Sequence, residues 1–229
     1  GVIEAIQPRS SLLYRSNEIR QKLIAANVDQ LVIVVATEPA FSDELIARAL
    51  VAAESEEIEP LIVLNKCDLT DKVAAARRRL SVLAGLGYRV LELSALEHAE
   101  DLRPCLAHRT SVLVGQSGMG KSTLVNALLP EAKAATREIS LALDSGKHTT
   151  THATLYHLDA DSHLIDSPGL QEFGLGHLDR HEIENAFPEF RPYLGQCRFR
   201  DFHHYREPDC ALIAAVNAEK IDKARFSTY

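Results

Sequence analysis

The chain has no tryptophan, one methionine and only four cysteines in 229 residues. The cysteines (Cys67, Cys105, Cys197 and Cys210) are too few and too scattered for a disulfide framework, so a reducing cytoplasm is the expected setting. No apolar run reaches the roughly 18 residues of a membrane span, and no basic-then-apolar leader marks secretion. A membrane partner is therefore not expected, and a monomer is. Basic excess is lacking too: 25 Lys and Arg face 32 Asp and Glu, a net charge of −7. A surface that held nucleic acid all over would be basic. Any RNA contact must use a local patch or a segment outside this sequence. There are no internal repeats and no low-complexity tract, which excludes solenoids and linkers. The 46% hydrophobic content suits one medium domain plus a small addition. The abrupt start at Gly1-Val2-Ile3 and stop at Tyr229 read as cuts, so flanking parts are expected to be missing.

What is present alternates strand with helix. Residues 1–16 read as a short extended piece with a turn at Gln7-Pro8, and Asn17 to Asn27 as polar and mildly helical. Leu31–Val35 is a β-branched run, the pattern of a strand buried on both faces. Ser42-Asp43-Glu44 then opens a helix with an N-cap and acids. Further strands are expected at Leu61–Leu64, Arg89–Leu93 and Ser111–Val114, with helices over about Asp71–Ala84 and from Gly120-Lys121. Strands Ala153–Leu158 and His163–Ile165 flank Asp159-Ala160-Asp161, which suits a hairpin turn. Residues 136–151 are polar without periodicity and read as a mobile loop. The whole is an α/β fold with a parallel sheet covered on both faces. From about Leu178 the composition shifts to His, Arg, Pro and Cys, which places a domain boundary near 175.

Gly115-Gln116-Ser117-Gly118-Met119-Gly120-Lys121-Ser122 fits G-x-x-x-x-G-K-[ST] between a buried strand and a helix that continues through Thr123. Its glycines let backbone N–H groups converge on phosphate oxygens, and the helix start adds positive potential. Lys121 should reach the β- and γ-phosphates, and the Ser122 hydroxyl should ligate Mg²⁺. Asn65-Lys66-Cys67-Asp68 directly follows a strand's carboxyl end, where open α/β sheets bind ligands. An Asp68 carboxylate can accept from N1–H and the exocyclic amine of guanine, which adenine does not offer. The Lys66 stem can lie on the base, and the Asn65 amide can tie this loop to the phosphate loop. Ser94-Ala95 can offer guanine O6 a backbone N–H. The motifs thus predict GTP and GDP as ligands.

Their order is permuted. The base motif (65–68) and Ser94-Ala95 precede the phosphate loop (115–122), and Asp166-Ser167-Pro168-Gly169, a D-x-x-G, comes last. Cutting a ring of strands at another point keeps every spatial contact while changing chain order. With Gly146-Lys147-His148-Thr149-Thr150-Thr151 between phosphate loop and D-x-x-G, the chain closely resembles the bacterial small-subunit-dependent GTPase A family, RsgA. The resemblance covers almost all of the sequence. It implies three parts: a remnant of an otherwise missing N-terminal OB-fold with its linker at 1–16, a circularly permuted GTPase domain at 17–175, and a C-terminal helical, zinc-binding domain at 176–229. It also implies GTP hydrolysis in late maturation of the small ribosomal subunit, stimulated by that subunit and its rRNA.

Within that reading Asp166 is an outer-sphere Mg²⁺ partner and the Gly169 N–H senses the γ-phosphate. Ras-like enzymes place a water-orienting Gln after D-x-x-G. This chain has Leu170 there, so slow intrinsic turnover is expected. The resemblance implies that His148 handles the water instead, as an imidazole can near neutral pH. Thr150 is the favoured second Mg²⁺ hydroxyl among Thr149, Thr150 and Thr151. The family's zinc pattern, C-x₄-C-x-H-x₅-C, finds Cys197, His204 and Cys210 here, but Phe202 at the second cysteine. Zinc wants four ligands, so His203 or a water is expected to complete the set. Alternatively, zinc is lost and Phe202 packs in its place. Arg198, Arg200, His203 and Arg206 make the region locally basic, which suits an rRNA contact or a solvated face. Two other readings stand beside the hydrolase. One is a nucleotide-gated RNA- or ribosome-binding module with negligible turnover, favoured by Leu170. The other is an ATP-dependent kinase, disfavoured by the base motif.

Overall fold

A computed structural model describes residues 5, 8–16, 21–130, 153–167, 174–199 and 202–229. Its centre is a six-stranded sheet of spatial order β5-β4-β3-β6-β8-β7. The strands are β3 (Gln30–Ala36), β4 (Glu59–Asn65), β5 (Arg89–Glu92), β6 (Thr110–Val114), β7 (Thr154–His157) and β8 (His163–Asp166). All neighbours pair in parallel except β7, which runs antiparallel to β8 at the edge. Every residue of β3 is buried, as the β-branched run requires of a strand covered on both faces. The Asp159-Ala160-Asp161 turn closes the β7–β8 hairpin, with Leu158 N donating to Ser162 O at 2.9 Å.

Helices α1 (Asp43–Ser55), α2 (Thr70–Gly85), α3 (Arg103–Leu106) and α4 (Lys121–Leu128) connect the parallel strands. The Ser42 hydroxyl caps α1 by accepting from Leu45 N at 3.3 Å, as its place before two acids predicts. Helix α1 buries more than one stripe: Ile46, Ala49, Leu50 and Ala53 face the sheet core, while Val51 joins a second apolar cluster. That second cluster comprises Phe187, Phe190, Cys210, Leu212 and their neighbours. It is assembled from α5 (Arg180–Asn185), α6 (Ala211–Asn217), α7 (Lys223–Phe226) and the loops between them. Phe187 and Phe190 stack with ring centroids 4.7 Å apart.

One expectation fails. The helical reading of Asn17 to Asn27 does not hold where the chain is described: Gln21–Ala26 is strand β2, paired antiparallel with β1 (Leu12–Ser16). The pairing straddles the division expected between residues 16 and 17. A weak local helix preference loses to cross-strand hydrogen bonding along the edge shared with β1. The loop expected at 136–151 lies outside the described residues. Among the described residues no helix is long and apolar enough to cross a membrane.

Candidate active site

Parallel pairing brings the carboxyl ends of β3, β4, β6 and β8 to one edge, where an open α/β sheet binds ligands. The phosphate loop leaves β6 there. Gly115 (φ +148°) passes so close to β3 that a Cβ would stand 2.3 Å from Val34 O. Gly120 (φ +93°) is the N-cap of α4, and no side chain caps the helix. The first-turn N–H groups therefore point at the loop's mouth, the arrangement that receives an anion. Lys121 Nζ donates to Gly115 O at 2.6 Å and Gln116 O at 2.9 Å, which holds the ammonium across that mouth. Ser117, Gly118, Ser122 and Thr123 are exposed at the lip, while Met119 is buried beneath it.

The base motif is tied to this loop as the sequence suggests. The Asn65 side chain, 1% exposed, donates from Nδ2 to Met119 O at 2.9 Å and accepts from Ala95 N at 2.9 Å. One amide thus binds the base loop to both the phosphate loop and the Ser94-Ala95 turn. Lys66 takes φ +62°, and its Nζ donates to Glu38 O at 2.7 Å. Asp68 is exposed at the same edge, free to meet a base. Ser94 is buried, and its hydroxyl accepts from Leu96 N at 3.3 Å.

Asp166 ends β8, in register with Leu113 of β6, and so stands beside the phosphate loop. Burial pushes its carboxyl above the usual carboxylate range, and the nearby Lys121 charge pulls against that. The same burial draws the Lys121 ammonium below the usual lysine range, opposed by Asp166. The Ser167 hydroxyl donates to Leu113 O at 2.7 Å and fixes the first step of the D-x-x-G turn. His148, Thr149, Thr150, Thr151, Gly169 and Leu170 lie outside the described residues.

Sequence reading missed the β3–α1 loop. Thr37 Oγ1 donates to Lys66 O at 3.0 Å, Glu38 holds Lys66, and Pro39 lies 3.4 Å from the Cβ direction of Gly118. Gln116 Oε1 accepts from Ser42 N at 3.0 Å and fastens the phosphate loop to the start of α1. The available signal was the rule already applied to Asn65: the residues after a buried parallel strand face the ligand.

A second cluster lies in the C-terminal part. The ligand atoms of Cys197, His204 and Cys210 are all within 4.8 Å of one another. The two sulfurs are 3.8 Å apart, and His204 Nδ1 is 3.7 Å from Cys197 Sγ and 3.2 Å from Cys210 Sγ. Tetrahedral zinc, with Zn–S of about 2.3 Å and Zn–N of about 2.0–2.1 Å, spaces its donors by about 3.6–3.8 Å. The sulfur–sulfur and Cys197 Sγ–His204 Nδ1 spacings match such an ion, and His204 Nδ1 stands closer than that to Cys210 Sγ, at 3.2 Å. His203 does not join them, a correction to its candidacy as fourth ligand. It is exposed, and its backbone N–H is held by Glu207 Oε1 at 2.7 Å, while the left-handed turn at His204 (φ +59°) sends only the second imidazole inward. Desolvation opposes ionisation of Glu207, yet the backbone N–H groups of Arg206, His203 and Tyr205 pull its carboxyl down to about 2. Phe202 is half-buried against the second apolar cluster.

A parallel sheet with a phosphate loop, a guanine-type base motif ahead of it in the chain and a D-x-x-G after it defines a circularly permuted P-loop GTPase. The model of the RsgA GTPase family matches residues 6–176. A Bordetella pertussis protein, "Small ribosomal subunit biogenesis GTPase RsgA", is 56% identical over 233 aligned residues, covering 100% of this chain and 78% of its own length. The crystal structure of YjeQ from Thermotoga maritima superposes with a TM-score of 0.76 at 31% identity, covering 99% of this chain and 75% of that one. That of YloQ, described as a circularly permuted GTPase, gives 0.70 at 27% identity, covering 99% and 79%. The chain belongs to the RsgA GTPase family, and it is a GTPase.

Proposed function

We propose that the chain hydrolyses GTP to GDP and phosphate as a factor in late maturation of the small ribosomal subunit, which stimulates the reaction. The relatives' names support the ribosomal setting. The Asn65 bridge carries the nucleotide reading, because it couples base recognition to the phosphate loop through one buried amide. The working division is the OB-fold remnant and linker at 1–16, the GTPase at 17–175 and the helical part at 176–229, in a cytoplasmic monomer, with the β1–β2 pairing crossing the first boundary.

In this mechanism the phosphate-loop N–H groups and Lys121 hold the β- and γ-phosphates. Asp68 reads the guanine edge while Lys66 covers the base. Ser122, Thr150 and, through water, Asp166 would hold Mg²⁺, which neutralises charge on the phosphates when bound. A hard cation suits their hydroxyl and carboxylate oxygens, and the partly buried Asp166 carboxylate gains from a nearby positive charge. In this reading the Gly169 N–H would sense the γ-phosphate, and His148 would orient the attacking water and take its proton. Leu170 favours a second reading, a nucleotide-gated RNA- or ribosome-binding module that turns over negligibly. Multiple-turnover phosphate release, with and without small subunits, separates the two. A rate that stays near zero in both arms would leave only the switch.

Asp68→Asn should cost GTP about 2 kcal/mol or more of binding, roughly 30-fold, because the amide mismatches guanine's donors. Xanthine nucleotide, which presents an acceptor there, should gain. Equal GTP affinity in variant and wild type would remove Asp68 from the base site.

Zinc is held, in this reading, by Cys197, His204 and Cys210 with a water in the fourth position that Phe202 cannot fill. Ala211 N donates to Cys197 Sγ at 3.3 Å, which suits a thiolate. The metal's part is structural: it joins the loop around Cys197 to the start of α6. Arg198 and Arg206 stand over the exposed rings of Phe199 and Tyr205, at 5.3 Å and 5.0 Å. This basic, aromatic face is the proposed rRNA contact. Protein purified without chelator should carry about one zinc. A mild chelator should strip it and loosen residues from about 190 onward, with GTP affinity unchanged. A metal-free preparation with a folded C-terminal part would instead make Phe202 the packing substitute for the ion.

A further inference from the structure

The two nitrogens of His204 face different partners. Nδ1 looks at the sulfurs of Cys210 and Cys197, at 3.2 Å and 3.7 Å. Nε2 looks at Glu184 Oε1, at 3.3 Å, and both side chains are 8% exposed. Glu184 stands on α5 and is buried, its backbone carbonyl accepting from Phe187 N at 3.2 Å. A carboxylate there must be fully partnered. Its partners are His204 Nε2, the Tyr229 hydroxyl (3.1 Å to Oε1), Arg180 Nε (3.3 Å to Oε1) and His181 Nδ1 (3.5 Å to Oε2).

A proton on Nε2, donated to Glu184, leaves the Nδ1 lone pair directed at the space between the sulfurs. That is the tautomer a metal requires, and ligating histidines are commonly fixed in this way by an outer carboxylate. A plain helix-surface ion pair with Arg180 would leave Glu184 exposed and indifferent to His204. Its burial and the separation of the two ring faces argue for the other role. We infer that Glu184, steadied by the Tyr229 hydroxyl, is the positioning residue of the zinc site. It sets the His204 tautomer and ties α5 and the Tyr229 segment to metal occupancy. This rests on the zinc reading above.

The test is zinc affinity of the full chain, by competition with a chromophoric chelator. Glu184→Gln keeps the shape but loses the charge, and should weaken zinc binding by about 10- to 100-fold. In the cobalt-substituted protein its visible ligand-field bands should shift while stoichiometry stays the same. GTP affinity, measured in parallel, should not change. Tyr229→Phe keeps the ring packing and removes one hydrogen bond to Glu184, so a smaller loss of a few-fold is expected; it decides the matter should Glu184→Gln not fold. A wild-type chain that binds zinc, beside folded variants of equal affinity and unaltered cobalt spectrum, overturns the role of Glu184 alone. A wild-type chain that binds no zinc overturns both this role and the zinc reading.

Discussion

Gly120→Ala is expected to weaken GTP binding by about 30-fold or more while leaving the sheet folded. Two costs fall on one atom. At φ +93° a non-glycine residue is strained, by about 1–2 kcal/mol in the left-handed region. The added Cβ would also stand 2.2 Å from Asn65 Nδ2. That nitrogen holds Met119 O at 2.9 Å, inside a site where Asn65 is 1% exposed. Displacing it leaves a buried amide and a carbonyl without their partner, at about 1–3 kcal/mol. The chain relieves the clash by moving the phosphate loop or the base loop, and either movement spoils the spacing that one nucleotide must span. Titration with a fluorescent GTP analogue gives the affinity, and the melting temperature shows whether the fold persists. Binding within threefold of wild type would mean that the Asn65 bridge does not set the site.

The phosphate-loop edge of the sheet was legible because its parts are local. A run such as Leu31–Val35 declares a doubly covered strand, and the residues that follow such strands must sit at the ligand edge. The Asn65 bridge followed from one amide lying between two motifs. What stayed hidden depends on pairing and burial between distant residues. Strand β2 has no pattern of its own and exists through its partner β1. Val51 looks like any helix alanine's neighbour, yet it joins the C-terminal cluster because Phe187 and Leu212 cover that side of α1. Spacing put His204 at the pattern's histidine and offered His203 or a water for the missing cysteine, and only the exposure of His203 shows that its imidazole stands away from the cluster. Glu184 lies outside every motif, on a short helix, and becomes visible only when its burial is known.

His148→Ala should leave GTP affinity nearly intact and lower subunit-stimulated turnover by about 10²-fold or more. Leu170 follows the D-x-x-G and has no atom able to orient water. Another group must then place the nucleophile. Among the candidates described at the phosphate loop, the Lys121 ammonium donates to Gly115 O and Gln116 O, and the proposed mechanism gives Asp166 to the metal side. The resemblance of Gly146-Lys147-His148-Thr149-Thr150-Thr151 to the family's loop implies that His148, which lies outside the described residues, places the nucleophile. An imidazole accepts a proton only when neutral. Wild-type kcat should therefore fall on the acid side, and the alanine variant should lose that limb of the profile. A role confined to RNA contact predicts the opposite split: weaker association with the small subunit, but unchanged kcat once the subunit is saturating. Measuring phosphate release against subunit concentration at two pH values tells these apart, and equal saturated rates in both proteins would make His148 a bystander to the chemistry.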